Sequence, residues 1–304
     1  MFRCSISLAT TKAPASVRGA NVKNLGDILQ IRNLTEKLQG ILPSTAAKGY
    51  LQGADAFDKG RPDYPKELDN WLRETIQIKP HSKWDPPHTT VLDLGSGTGK
   101  FIPRLLEAGA EVFAVEPVAA MRAQLEHNWA DNPYVKVLEG AAEEIPLKSG
   151  SVDAVVCAHS FHWFANAASM AEIYRVLKPR GRLGMIWNLR DTSHDWVRQI
   201  ADIVSDVAAD SPRFYTQKWR EAFPHSGFTP LVEKRFTHTY TGTPEDVILN
   251  RVRSISFISA LAPEQQEPIF QKVREIIATH PDLKDKQEIT VPYNTVAFHT
   301  VRFL

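Results

Sequence analysis

Between Thr89 and Asn188 the chain repeats one rhythm: a short run of β-branched and apolar residues, then, in most cases, a stretch with helical spacing. The runs TTVLDLG, EVFAVEP, VKVLEG, VDAVVCAHS and RLGMIWN read as strands. The segments FIPRLLEAGA, AAMRAQLEHNWA and NAASMAEIYRVLKPRG read as helices, the last stopped by Pro179 and Gly181. Pro103 is tolerable only in the first turns of its helix. Strands alternating with helices at this spacing predict a parallel sheet with helices on both faces. Apolar runs such as AVVC fit strands covered on both sides.

Outside this region the pattern differs. Leu25, Ile28, Leu29, Leu34, Leu38 and Ile41 recur at roughly helical spacing, and Gly40 and Pro43 mark a stop. A loop with GRPDYP and a helix around Leu68 to Ile78 precede the first strand. After Asp191, DWVRQIADIVSDVAAD reads as a helix and LVEKRFTHTY alternates like a strand. Thr243 is placed to cap a helix with Pro244 at its first position and Glu245 and Asp246 in its first turn, where the dipole favours acid. Another helix starts after Pro263, and KQEITVPYNTVAFHTVRFL closes the chain as a strand. The two late strands are expected to extend the sheet in antiparallel sense.

Composition narrows the function. The 304 residues carry a net charge of +1, so no global field draws the chain to nucleic acid or anionic lipid. No basic stripe or added nucleic-acid module is visible, and no apolar run reaches the length of a membrane span. Cys4 and Cys157 are the only cysteines, which form neither a disulfide framework nor a zinc pattern. The usage fits a reducing, cytoplasmic setting. Residues 1–24 are basic and rich in Ser, Thr and Ala, with no acid before Asp27. They read equally as an organelle transit peptide, which would make the protein mitochondrial, or as a disordered tail. The rest, 25–304, is read as one domain, with a ligand-binding core at about 88–191 and a covering part at about 192–304.

The stretch VLDLGSGTGKF sets Gly95, Gly97 and Gly99 between the first strand and its helix. Such glycines cost about 1 kcal/mol each inside regular structure, so they mark a turn with a purpose. The dinucleotide fingerprint G-x-G-x-x-G requires a third glycine where Lys100 stands, and no P-loop GK[ST] follows. A nicotinamide oxidoreductase is therefore disfavoured. Glu116 ends the second strand about twenty residues later, where a carboxylate takes both hydroxyls of a ribose. A ribose-bearing ligand with no required phosphate is expected, and adenosine joined to an amino acid fits.

Taken in order, VLDLGSGTGK, VFAVEP, GAAEEIP, SVDAVVCAHSFHWF and RVLKPRGRLGMIW resemble the motifs of class I S-adenosylmethionine-dependent methyltransferases. The arrangement is most similar to the methyltransferase type 11 group, with its ubiquinone/menaquinone-type and trans-aconitate-type members. GRPDYP and the C-terminal strand resemble the trans-aconitate-like branch. The resemblance runs from about Ala46 to the C-terminus and is far more specific for the cofactor than for the acceptor. It implies a Rossmann-like α/β fold with a seven-stranded, mostly parallel sheet and one antiparallel strand, and S-adenosylmethionine as cofactor.

The resemblance also implies roles. Asp93 faces the methionine ammonium, and Gly95, Gly97 and Gly99 form the cofactor turn. Pro117 and Met121 line the adenine, Met121 being equally readable as helix core. The adenine contact after Gly140 departs from the family pattern, since Ala141 stands where an Asp is common; it then falls to the Ala142 backbone or Glu143. Arg61 and Tyr64 belong to a segment that folds over the cofactor, where a guanidinium can hold the methionine carboxylate and Tyr64 is expected to meet the acceptor. His159 and Ser160 lie at the end of the fourth strand, where open parallel sheets bind ligands.

For the transfer itself, alignment of acceptor and methyl is worth about 7–11 kcal/mol. A general base adds a factor of about 10²–10⁴, but only where the acceptor must lose a proton. His162 is the candidate base, its pKa naturally near working pH; the alternative is a packed cap formed with Trp163. Phe161 and Trp163 are expected to wall the acceptor pocket. Trp187, Asn188 and Arg190 end the fifth strand on the same side, and Arg190 is placed to receive an anion or to pair with Asp191. Arg253, Ser254 and Phe257 resemble a segment that covers the pocket. The expected partner is a small-molecule methyl acceptor, most readily methylated on a carboxylate or hydroxyl oxygen. The competing reading keeps the cofactor on this fold without transferring its methyl.

Overall fold

The computed structural model describes residues 60–81, 85–208 and 211–304. The expected N-terminal extension at 1–24 and the helix expected from Leu25 to Ile41 lie outside the described residues. Seven strands form one sheet: β1 (Thr89–Leu94), β2 (Ala110–Val115), β3 (Val135–Leu138), β4 (Val152–Ala158), β5 (Leu177–Arg190), β6 (Val232–Gly242) and β7 (Ile289–Val301). Their order across the sheet is β3-β2-β1-β4-β5-β7-β6. The first five are mutually parallel, and β7 runs antiparallel to both β5 and β6. This is the Rossmann-like mixed sheet with a single reversed strand.

The order reverses between β1 and β4. Chain connections leave β1 in one direction and β4 in the other, which opens a crevice at their carboxyl ends. The helices that cover the sheet are α1 (Glu67–Glu74), α2 (Ile102–Ala108), α3 (Ala119–Trp129) and α4 (Ala167–Val176). Strand alternation sorts the core into two layers. Leu92, Leu94, Val155 and Cys157 face one side and pack with Met170 and Ile173 of α4. Val91, Ala154 and Val156 face the other and meet Leu68 and Leu72 of α1, Leu105 of α2 and Leu125 of α3. Pro103 sits in the first turn of α2, and Gly109 ends that helix in the left-handed conformation, its N–H reaching the carbonyls of Leu105 and Leu106.

Two boundaries differ from the sequence expectation. The helix expected to run to Pro179 ends at Val176, and Leu177 is already extended (φ −64°, ψ 140°). Pro179 disfavours helical backbone at the residue before it. The chain enters β5 at once, and Pro179 and Gly181 fall within a strand whose pairing with β4 shifts register between Val152 and Ala154. After Thr243 the backbone makes a π-helical turn, Glu245–Leu249, then α turns at Asn250–Arg253 and Ser256–Ser259. Thr243 Oγ1 does accept the Asp246 N–H (3.2 Å).

The C-terminal part builds a third core of its own. Trp196, Ile200 and Val204 of α5 (Asp195–Val207) pack with Val247, Val252 and Ile258, with Phe270 and Val273 of α6 (Pro263–Thr279), and with Val291 and Tyr293 of β7. This cap stands over the carboxyl ends of β4 and β5.

Candidate active site

The crevice is built by backbone first. Gly95 N and Ser96 N both donate to the Val115 carbonyl (2.9 and 3.1 Å), which pins the turn after β1 to the end of β2. Gly95 and Gly97 have φ of +72° and +60°, a region open to glycine. A Cβ on Gly95 would lie 2.7 Å from Ser160 Cβ, so the turns after β1 and β4 touch only because that atom is missing. The turn thus presents bare backbone to a cavity of about 1060 Å³, part of it open to solvent.

Two carboxylates face this cavity. Glu116 is 5% exposed; its Oε2 accepts the Gly97 N–H (2.8 Å) and its Oε1 the Val118 N–H (2.9 Å). A carboxylate has about four acceptor positions, so about one remains on each oxygen. Burial pushes its pKa up to about 7 against the pull of those two amides. Asp93 is 1% exposed, and neither of its carboxylate oxygens has a hydrogen-bond partner. Ser96 Oγ points at the Asp93 backbone carbonyl (2.7 Å) rather than at the carboxylate. Burial raises the Asp93 pKa to about 7 against the pull of the neighbouring Ser96 hydroxyl, with Glu116 adding to the rise. An orphaned buried acid beside exposed backbone amides fits a ligand that brings a cation, and the ammonium of S-adenosylmethionine is one.

Most of the expected cofactor residues line this cavity: Arg61, Asp93, Gly95, Gly97, Glu116, Pro117, Met121, Ala142, Glu143 and His159. Glu143 Oε1 also accepts Asn166 Nδ2 (2.8 Å). Gly99 does not line it. Its φ is +88°, and a Cβ there would lie 2.5 Å from Trp129 Nε1 and 2.6 Å from Leu125 Cδ1. Gly99 lets α3 pack close and holds nothing in the crevice.

A second cavity of about 1510 Å³, also open to solvent, adjoins the first beneath the cap. Arg61, His159, Trp163, Asn188 and Arg251 line both. His162, Trp187 and Arg190 line the second alone. Tyr64, expected at the acceptor, instead lines the first cavity, its ring edge-on to Phe101 at 4.7 Å, with burial raising its pKa. Phe161, expected as a wall, is fully buried against Phe164, Trp219 and Phe223 and lines neither cavity.

The general-base expectation for His162 does not fit the geometry. Trp187 Nε1, which can only donate, gives its hydrogen to His162 Nδ1 (3.1 Å). The neutral ring therefore carries its own proton on Nε2 and offers a donor. Burial and then Arg61 push its pKa down to about 3. His159 is held in the left-handed region (φ +57°), with Nε2 within 2.9 Å of the Asn188 backbone. Burial, reinforced by Arg61, His162 and Arg251, drives its pKa well down too.

Arg253 is also displaced from its expected role. It pairs with Glu245, donates to Asn250 Oδ1 (2.9 Å) and lies over the Phe270 ring, outside both cavities. The inward arginine is Arg251, 8% exposed. At 100° per residue the two point about 200° apart on a helix, and the pattern alone does not say which faces in. Packing of Val247, Ile248 and Val252 into the cap core decides it. Arg213 was likewise missed, since SPRFYTQKWREAFP carries no periodicity that would orient it.

Asn188 joins the parts. Its Oδ1 accepts Thr295 Oγ1 of β7 (2.6 Å), and its Nδ2 donates to the Asp63 carbonyl (3.1 Å). This seats the 60–65 segment on the sheet. Lys100, which broke the dinucleotide fingerprint, reaches the Asp63 carboxylate at 3.4 Å. Among the described residues no cluster of three or more His, Cys, Asp or Glu side chains is disposed to hold a metal ion. No described helix is long and apolar enough to cross a membrane.

Comparison with known proteins agrees with this geometry. A methyltransferase domain family model matches residues 92–185, the stretch from β1 into β5. An uncharacterised methyltransferase-like protein of Schizosaccharomyces pombe is 37% identical over 80% of this chain and 91% of its own length. An uncharacterised methyltransferase of Mycobacterium tuberculosis is 36% identical over 79% of this chain and 90% of its own. Among solved structures, a proposed type II methyltransferase from Anaeromyxobacter dehalogenans superposes with a TM-score of 0.56 at 21% identity, covering 80% of this chain and 98% of that one. At that identity the likeness speaks for the fold alone. With the glycine turn, Glu116 and the β1/β4 crevice inside the matched region, the chain belongs to the class I S-adenosylmethionine-dependent methyltransferases, in the methyltransferase type 11 group.

Proposed function

We propose that the protein transfers a methyl group from S-adenosylmethionine to an oxygen of a small-molecule acceptor, a carboxylate or a hydroxyl. The observation that carries this reading is the pair of joined cavities. One is lined by the glycine turn, Asp93 and Glu116; the other, beneath the cap, is lined by aromatic and cationic side chains. When bound, S-adenosylmethionine supplies an electrophilic methyl carbon on a sulfonium leaving group.

In this reading Glu116 uses its remaining acceptor positions for the ribose hydroxyls. The Asp93 carboxylate meets the ammonium that its burial otherwise leaves unmatched. Arg61 takes the methionine carboxylate, and the Gly95 and Gly97 backbone allows close approach. Pro117, Met121, Ala142 and Glu143 surround the adenine. The residues common to both cavities, among them His159, Trp163 and Asn188, stand where acceptor and methyl meet. Alignment of the two is the protein's main contribution, worth about 7–11 kcal/mol.

Calorimetric titration with S-adenosylhomocysteine tests the reading. Micromolar binding is expected, weakened at least about tenfold in Glu116→Ala through loss of charge-assisted hydrogen bonds. Unchanged affinity in the variant would remove Glu116 from the ribose. Absence of binding by the wild type would leave the fold without the activity.

A further inference from the structure

Thr295 of β7 is fully buried and lines neither cavity, yet its hydroxyl lies 2.6 Å from Asn188 Oδ1. The two residues stand opposite each other in the β5–β7 ladder, so their side chains share a face of the sheet. Asn188 Nδ2 in turn donates to the Asp63 carbonyl (3.1 Å). A carbonyl only accepts, so the amide must turn its NH₂ to Asp63 and its oxygen to Thr295. In that arrangement the threonine hydroxyl is the donor. The three groups make one hydrogen-bonded chain from β7 through β5 to the 60–65 segment.

The other holds on that segment differ in kind. The Lys100–Asp63 ion pair is 3.4 Å long and the Asp63 side chain is 86% exposed, so water and salt screen it. Gly60 passes so close to the cap that a Cβ would lie 2.3 Å from the Asn250 carbonyl oxygen, a contact that sets a limit without pulling the segment in. His238 of β6 also lies at the Asp63 backbone, a second hold on the same residue. Asn188 is buried and ties Asp63 directly to the sheet. Without the Thr295 hydroxyl its oxygen becomes an unpaired buried acceptor, and the amide can satisfy that oxygen only by turning away from Asp63. Arg61, two residues before Asp63, lines both cavities, and its charge reaches Tyr64, His159 and His162. The residues assigned to ribose and adenine, Glu116, Pro117, Met121, Ala142 and Glu143, come instead from the stretches that follow β2 and β3.

Resting on the proposed methyl transfer, we infer that Thr295 is a positioning residue: acting through the Asn188 amide, it holds the 60–65 segment, and Arg61 with it, against the methionine half of the cofactor. The adenosine half is held by other elements and does not depend on it. Loss of the hydroxyl therefore acts on one half of the ligand and spares the other.

The test titrates the full chain calorimetrically with two ligands, S-adenosylhomocysteine and 5′-methylthioadenosine. The second keeps the adenosine and its thioether sulfur but ends in a methyl group where the first carries the amino acid. Thr295→Val removes the hydroxyl and keeps the branched shape. It should weaken S-adenosylhomocysteine by about five- to twentyfold, the lower part of the range for a buried acceptor left unpaired, because His238 still holds Asp63. Binding of 5′-methylthioadenosine should stay within about threefold. Thr295→Ser keeps a hydroxyl and should return S-adenosylhomocysteine to within about threefold of the wild type. Asn188→Ala removes the amide itself and should split the two ligands in the same way, which covers misfolding of Thr295→Val. Hydrogen exchange read by mass spectrometry should speed up across 60–66 in both weakened variants, with β1 and β4 unchanged. Unchanged S-adenosylhomocysteine affinity in both variants, equal weakening of the two ligands, or no recovery in Thr295→Ser would overturn the inference while leaving methyl transfer standing. Failure of S-adenosylhomocysteine to bind the wild type would overturn the methyl-transfer reading, and this inference with it.

Discussion

Replacing Asp93 by asparagine should make the ligand-free protein more stable and remove its hold on S-adenosylhomocysteine. The carboxylate is 1% exposed and neither oxygen is bonded. Its pKa rises from the ordinary 3.8 to about 7, with burial the largest cause. Because the folded-state value lies above the unfolded one, folding takes up a proton between about pH 4 and pH 7. Stability contributed by the neutral acid is therefore lost as pH rises through that window. The interval corresponds to about 4 kcal/mol at 1.36 kcal/mol per pH unit, an upper bound because Glu116 shares in it. Asparagine keeps the shape and removes the charge, so at about pH 8 a gain on the order of 2–4 kcal/mol is expected. In a domain of this size that is a rise in Tm of roughly 4–12 °C. Near pH 4 the gain should vanish. In the same variant the ammonium of S-adenosylhomocysteine loses its counter-charge, and Kd should rise by about 10–150-fold. Thermal melts at both pH values and calorimetric titration read the two effects separately. A variant no more stable than wild type at about pH 8, or one with unchanged affinity, would refute the argument that Asp93 is an uncompensated charge reserved for a cationic ligand.

Two other substitutions separate packing from chemistry. Gly99→Ala places a Cβ 2.5 Å from Trp129 Nε1 at φ +88°, so it should destabilise the fold by about 1–3 kcal/mol. Affinity for S-adenosylhomocysteine in the folded fraction should stay within about threefold, and a larger loss would return Gly99 to the cofactor site. His162→Ala should lower turnover by less than about tenfold with a flat rate between about pH 6 and pH 9, short of the 10²–10⁴ that a lost general base removes. A larger fall, with a rate that climbs with pH in the wild type only, would restore the base.

The parallel sheet was legible in sequence because its signals are local. Valine-rich runs separated by helical spacing leave few topologies, and β1 to β4 fall where the periodicity puts them. Gly95, Gly97 and Glu116 were legible for a related reason: positive φ and the end of a strand are properties of a short stretch of backbone, written into a few adjacent residues. The end of α4 was misplaced because Pro179 announces a break without saying that the backbone is already extended at Leu177.

What surrounds the acceptor was decided by the tertiary structure. That Arg251 turns inward and Arg253 outward follows from how the turns after Thr243 pack into the cap, not from either residue's neighbours in sequence. That His162 is a donor rather than a base follows from Trp187, a residue of β5 whose indole can only give its hydrogen. By itself the sequence determined a sheet and the turn that faces its ligand, since backbone geometry is set by residues close along the chain. The charge, protonation and reach of the side chains across that ligand came only with the fold, because burial and electrostatics depend on what the chain brings together from far apart.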